Sequence, residues 1–411
     1  MDRISAIGLR RTWMSHLATP KSAKTKEQLI KARVSPAAVH SFVHDLVGED
    51  MHAKRVLSLA NGVVGVLNSA ALAIHLIGHG YAEACGTNTK HGIKQVDRLL
   101  SNSGITLAIW FSKWVTYVVG DRKEIQVALD WTEFDPDGHS TIALYLLTRH
   151  GRATPLLWKT VRKKTLKHRQ GSYEDEDIEL LHTILPPDVQ VTLLADRGFG
   201  DQKRYAHLEV LGWSYVIRFR ENILVEDATG CRKTAGEWVP SNGRAKRLEQ
   251  VKVTADRAEV PAVVCVKKKM MKDAWCLATN RTDLDSTSIV KLYGRRFTIE
   301  ETFRDQKDIH FGFGLSSTHI SEPMRRDRLL MLAAMAQALL TLLGAAGEAV
   351  GLDRMLKANT VKRRTLSLLR QGTCWFRALP NMPDDRARIL LESFDKILAE
   401  HAFSRDVLGA I

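Results

Sequence analysis

Cysteine is scarce in this chain, and what there is lies scattered. Cys85, Cys231, Cys265, Cys276 and Cys374 are odd in number and include no Cys-x-x-Cys pair. Neither a disulfide framework nor a thiolate zinc site follows from such a pattern, and a reducing compartment is expected. Residues 1–17 contain Arg3, Arg10 and Arg11 but no unbroken apolar core and no cleavage site, so no secretory signal is expected. Short-period repeats and low-complexity tracts are also missing. Only residues 329–347 approach membrane-spanning length; they are Ala-rich, contain Gln337 and follow the charged residues 325–327. A helix buried in a soluble core is the expectation there, with no membrane partner. Acidic residues are in deficit, with 46 Asp+Glu against 60 Lys+Arg and a net charge of +14. That sign suits a polyanionic partner without identifying one. The remainder is ordinary: 45% apolar and 26% charged residues exclude extensive disorder, and 411 residues leave room for two or three domains.

Residues 1–120 read as helical and show no clear strand. Within them, residues 88–102 place Ile93, Val96, Leu99 and Leu100 at helical spacing, with Lys90, Lys94 and Arg98 four apart on another face. Thr87 or Asn88 would cap this helix. Its basic face fits either DNA or plain solvent. The pattern then changes. Segments 124–131, 140–148 and 153–161 read as consecutive strands joined by polar turns. A helix (173–184), an apolar strand (189–195), a helix (202–211) and a strand (214–219) follow. Three sequential strands and then an alternating pattern predict an α/β fold, a mixed sheet with helices on its faces. Residues 221–285 break that rhythm and read as a β-rich insertion with strands at 223–226, 262–266 and 274–278. A long helix is expected over 286–307, and the remainder is helical.

Two aspartates end apolar strands. Asp130 follows Val127-Ala-Leu129, and Asp196 follows Val191-Thr-Leu-Leu-Ala195. A carboxylate at such a place costs several kcal/mol, of order 2–7, unless hydrogen bonds or a cation compensate. The crevice beyond the carboxyl ends of strands is also where open α/β sheets bind ligands. A solvated or capping turn aspartate is the competing reading for each. Glu133, Asp135 and Asp137 compete for the first position but fall in a turn and read as more exposed.

The helix over 286–307 adds a third acid. At about 100° per residue, Tyr293, Arg296, Glu300 and Lys307 fall within roughly 60° of one another around its axis. An Arg296–Glu300 pair on a wet surface would explain two of these residues; it leaves the tyrosine and lysine unexplained. A metal site completed by Glu300, with Tyr293, Arg296 and Lys307 gripping adjacent phosphates, explains all four.

The spacing Tyr293-x2-Arg296-x3-Glu300-x6-Lys307 resembles the signature of the insertion-sequence-four family of bacterial DDE transposases, complete in residue type and spacing. Segments 90–100, 129–131, 211–215, 275–280, 299–304 and 358–361 are similar to hairpin-forming members of the transposon-ten kind. The resemblance covers about 88–370, and residues 1–85 contribute little to it. It implies a ribonuclease-H-like core in two parts (121–220 and 286–345), a β-strand insertion (221–285), a helical N-terminal DNA-binding region (1–120) and a helical C-terminal region (346–411). It further implies a catalytic triad of Asp130, Asp196 and Glu300 holding two Mg2+ ions, with Mn2+ able to substitute, and DNA contacts from Tyr293, Arg296, Lys307, Trp275, Phe297, Lys90, Lys94 and Arg98. Trp275 would stack a flipped base, and Phe297 stands where a second bulky residue can occur. The implied partners are double-stranded DNA, as terminal inverted repeats and target, and a second copy of the chain; the implied location is cytoplasmic, at the nucleoid. A nuclease of the same fold that cannot join strands, and a non-catalytic DNA-binding descendant, remain open alternatives at this point. Basic runs at 159–169, 267–272 and 362–364 fit DNA contact or solvent equally well.

Overall fold

The computed structural model describes residues 35–399. The signal-free reading of residues 1–17 and the helical reading of 1–34 lie outside it. Among the described residues five helices come first: α1 (Pro36–Val47), α2 (Ala53–Ser69), α3 (Ile74–Cys85), α4 (Thr89–Ser101) and α5 (Leu107–Val119). The α4 cap is Asn88, whose side chain accepts from the Lys90 amide at 2.9 Å. Inward, α4 buries Val96, Leu99 and Leu100; Lys90, Lys94 and Arg98 face out.

Strands β1 (Glu124–Phe134), β2 (His139–Leu147) and β3 (Ala153–Arg162) form an antiparallel meander. Next come α6 (Gln170–Ile184), β4 (Gln190–Ala195), α7 (Gln202–Val210) and β5 (Ser214–Phe219). Both β4 and β5 run parallel to β1, and β4 pairs with it directly. The resulting order β3-β2-β1-β4-β5 is the mixed sheet expected from sequence. The five following strands, β6 (Leu224–Glu226), β7 (Arg232–Thr234), β8 (Lys246–Val253), β9 (Ala258–Val266) and β10 (Trp275–Thr279), continue it without a break. β10 pairs antiparallel with β5, giving one ten-stranded sheet. The chain between β5 and the next helix thus extends the core sheet edgewise, and its strands β7 and β8 were not expected.

Successive residues of a strand point to opposite faces, and β1 shows helices on both. Trp131 donates its indole N–H to Glu174 of α6 at 2.8 Å, and Glu174 in turn accepts from Arg204 of α7 at 2.6 Å. On the other face Asp130 and Thr132 meet the helices that follow β10. These are α8 (Ser286–Gly294) and α9 (Thr298–Lys307). The single long helix expected over 286–307 is therefore interrupted, by a 3-10 turn at Arg295–Phe297. Gly294, a poor helix former, precedes that turn. α9 is pinned to the sheet by Thr302, whose hydroxyl accepts from the Ala153 amide at 2.7 Å, and by Asp305, which accepts from Arg152 at 2.6 Å.

The apolar run at 329–347 lies in α10 (Pro323–Ala349). This helix is long and apolar enough to cross a membrane, yet 89% of its most apolar window is buried inside the fold. α11 (Leu368–Ala378) crosses it at very short range. A Cβ on Gly372 would sit 1.7 Å from the Leu340 carbonyl oxygen and one on Gly344 2.0 Å from that of Leu368, so only glycine allows the contact. α12 (Asp384–Ala399) closes the described chain.

Candidate active site

Leu129 and Ala195 are partners in the parallel β1/β4 ladder, so Asp130 and Asp196 stand at the same level on adjacent strands. Asp196 lies just past the end of β4, but Asp130 does not end its strand as the sequence suggested: β1 stays paired with β2 and runs on to Phe134. Neighbouring strands lie about 4.8 Å apart, which makes the two carboxylates near neighbours. Behind Asp196 the chain turns through Arg197–Phe199. At Gly200 a Cβ would come within 2.9 Å of the Phe219 Cβ, so the turn hugs β5 as only glycine permits.

Glu300 arrives from the first turn of α9, and two of the three acids, Asp130 and Glu300, meet on one guanidinium. Arg296 donates from Nη1 to Asp130 at 3.1 Å and from Nη2 to Glu300 at 2.7 Å. Asp130 also accepts from the Trp131 amide at 2.9 Å. Tyr293 donates its hydroxyl to Asp196 at 3.1 Å, and Arg218 of β5 lies 3.7 Å from the same oxygen. Burial drives the Asp130 carboxyl up to about 6; Arg296 and the Trp131 amide pull down, while Glu300 and Asp196 push up. Burial works against the charge on Arg296, but Tyr293, Asp130, Asp196 and Glu300 hold it above the ordinary arginine value. The i,i+4 pair expected as the plain reading of Arg296–Glu300 thus exists, but Arg296 is only 2% exposed and spans two acids.

Beside the acids stands an aromatic group. Trp275, the first residue of β10, packs on Phe297 (ring centroids 5.8 Å, stacked) and edge-on to Tyr293 (4.8 Å). Phe297 is 39% exposed, and the Arg296 guanidinium lies over its ring at 4.7 Å. Lys307 sits further along α9, donating to the Thr132 hydroxyl at 3.1 Å and the Glu133 carbonyl at 2.7 Å. Its partial burial lowers its pKa.

Asp130, Asp196, Glu300, Tyr293, Arg296, Trp275 and Phe297 are therefore gathered at one place. Lys307 flanks them at the end of β1, and Lys90, Lys94 and Arg98 belong to the separate surface of α4. Tyr293 and Arg296 differ from the expected phosphate grips: both are buried, and their polar atoms point at the acids. Of the competing acids, Glu133 and Asp135 pair with Lys163 on the surface. Asp137 is less exposed than expected, because it pairs with the fully buried Arg326. Arg218 was missed. Its signal was a lone arginine inside the apolar strand Ser-Tyr-Val-Ile-Arg-Phe.

The donor set is all carboxylate oxygen, the chemistry that hard divalent cations prefer. Asp130 shares its positive neighbour, Arg296, with Glu300, and a divalent cation would supply the charge the three acids together call for. In the present arrangement the guanidinium of Arg296 fills that role, and among the described residues no group of three or more His, Cys, Asp or Glu is set to hold a metal ion. The chemistry of the donor set fits a divalent cation, and the place such a cation would take is held by Arg296.

Residues 174–339 match the family model described as the transposase DDE domain. The match runs from α6 into α10, covers less than half of the chain, and includes Asp196 and Glu300 but not Asp130. No curated protein matches the chain. The sheet order is that of a ribonuclease-H-like core, the fold of DDE transposase domains. Such domains act on DNA and generally use divalent metal ions such as Mg2+.

Proposed function

We propose that this chain, which carries a transposase DDE domain, is a cut-and-paste DNA transposase of the insertion-sequence-four type whose catalytic triad is Asp130, Asp196 and Glu300. The observation that carries this reading is the gathering of three acids, from two adjacent strands and one helix: Asp130 and Glu300 share the guanidinium of Arg296, and Asp196 beside them is held by Tyr293 and faces Arg218. Such crowding of acids has no structural need.

Asp130, Asp196 and Glu300 would hold the divalent cations, Mg2+ or Mn2+, two per site. When bound, these ions activate the attacking oxygen and stabilise the departing one at phosphorus. The chain's own residues supply the rest. Tyr293 and Arg218 fix the rotamer of Asp196, and the Trp131 amide fixes that of Asp130. Arg296 and Lys307 offer positive charge to the DNA backbone beside the site. Trp275 and Phe297 form an apolar platform on which a base displaced from the helix would stack, as hairpin formation at a DNA end requires. The substrate is double-stranded DNA, the terminal repeats of an element and then its target, with two copies of the chain holding paired ends. The reaction proceeds through hairpin ends and finishes by joining the excised element to new DNA. A cytoplasmic, nucleoid location follows from that substrate, and the helical ends and the strands at 221–285 would serve as DNA-binding and insertion regions around the core.

The test is cleavage and joining of duplexes that carry the element's own ends. Glu300→Ala is expected to abolish cleavage and keep end binding; loss of binding with cleavage per bound complex intact would overturn the assignment. Cutting without joining by the unaltered protein would reduce it to a nuclease.

A further inference from the structure

Arg296 is buried and bonds to two of the three acids. Its third donor, Nε, is buried without an acceptor among the described residues. Asp196 is occupied too, by the Tyr293 hydroxyl. We propose that Arg296 is an internal stand-in for the metal: it neutralises the acids while DNA is absent, and a DNA phosphate draws it away to open the site. This rests on the triad assigned above.

The physical case is one of competition. A cation bound by Asp130 and Glu300 needs the oxygens that Arg296 now holds, and would lie beside its positive charge. Both effects weaken metal binding to the DNA-free protein. A phosphate offers the guanidinium a bidentate acceptor and an oxygen within reach of the orphaned Nε, which the carboxylates leave unmet. Phe297 and Tyr293 lie beside the guanidinium, at 4.7 and 5.9 Å from their ring centres. Because metal and phosphate each relieve the other's cost, their binding is cooperative, and by linkage equally so in both directions. The free protein would thus be guarded against binding metal and cutting DNA at random.

Mn2+ binding to the full chain, followed by the electron paramagnetic signal of free Mn2+, tests this without any reaction. Removing a charge-assisted bond to a carboxylate shifts binding by about tenfold. Arg296→Gln is therefore expected to bind Mn2+ about tenfold tighter than the unaltered protein in the absence of DNA, and Arg296→Lys, which cannot span both acids, to fall between them. Adding a DNA duplex should tighten Mn2+ binding to the unaltered protein and leave Arg296→Gln nearly unchanged. Equal or weaker binding by Arg296→Gln overturns the stand-in role. Asp130→Asn in the Arg296→Gln background separates the two claims: if it leaves tight Mn2+ binding intact, the triad itself is wrong, whereas a loss of binding with no gain from Arg296→Gln condemns the stand-in role alone.

Discussion

Asp130 is a partly buried acid and Asp327 a fully buried one, both with arginine neighbours, and desolvation raises the pKa of each, to about 6 and about 8. Their surroundings differ. Asp327 lies in α10 against the edge strand β3, where its carboxylate accepts from the Thr160 amide at 2.9 Å and so caps a strand with no further neighbour. Beside it Arg326 is fully buried on Asp137 and His139. That cluster is closed and joins one helix to one sheet edge. Asp130 instead shares its arginine with a second acid and has a third nearby. Glu300, across the guanidinium, has 49% of its side chain exposed. A fully buried acid that ties a helix to an edge strand holds the fold together; one that crowds other acids beside an exposed carboxylate leaves room for a ligand.

The two sites should come apart under mutation. Asp130→Asn is expected to lower DNA cleavage by at least about 100-fold, the scale for removing a preorganised electrostatic contact, while the melting temperature stays near its original value. A matching fall in both would place Asp130 with the structural acids. Asp327→Ala leaves the Thr160 amide buried and unmet, for a loss of about 1–3 kcal/mol in denaturant unfolding, with cleavage by the folded fraction unchanged. Asp327→Asn keeps an acceptor oxygen and should recover most of that stability. The pH dependence has a definite sign. Between the ordinary carboxyl value of 3.8 and about 8, Asp327 stays protonated when folded and ionised when unfolded. The folded state then binds more protons, so this residue's contribution to stability is full at low pH and declines as pH rises toward 8. Melting curves of Asp327→Asn should show a shallower decline over that window; an unchanged slope would assign the effect to other acids.

Smaller effects test the flanks of the open site. Trp275→Ala should slow hairpin formation by roughly tenfold, given about 1–3 kcal/mol for a stacked base, and spare the first nick. Equal slowing of both steps would return Trp275 to the role of a packing aromatic. Replacing Lys90, Lys94 and Arg98 together by alanine should flatten the salt dependence of DNA binding by up to about three units of log–log slope. An unchanged slope would make that face of α4 plain solvent-facing surface.

Much of this was legible in the sequence. The strands carrying Asp130 and Asp196 announce themselves because a charge ends an apolar run. The Asn88 cap and the inward face of α4 follow from spacing alone. The buried course of α10 was also readable from its alanines and from Gln337. What escaped did so for physical reasons. β8 buries Leu248, Val251 and Val253, an irregular spacing, because Gln250 has no partner in the β8/β9 ladder and takes a left-handed backbone (φ 49°). That bulge breaks the two-residue alternation by which strands are recognised. The turn at Arg295–Phe297 escaped because a 3-10 turn shifts helical phase only slightly, leaving Tyr293, Arg296 and Glu300 still beside Asp130 and Asp196. Periodicity shows that these residues share a face. It does not show that the arginine would be buried among the acids rather than turned toward DNA.

The most direct test is a crystal structure of the chain with its DNA ends and Mn2+, read from the anomalous signal of the metal. Peaks bounded by Asp130, Asp196 and Glu300, with Arg296 turned onto a phosphate, are the predicted result. Arg296 still bridging Asp130 and Glu300, with manganese elsewhere or nowhere on the chain, would contradict it.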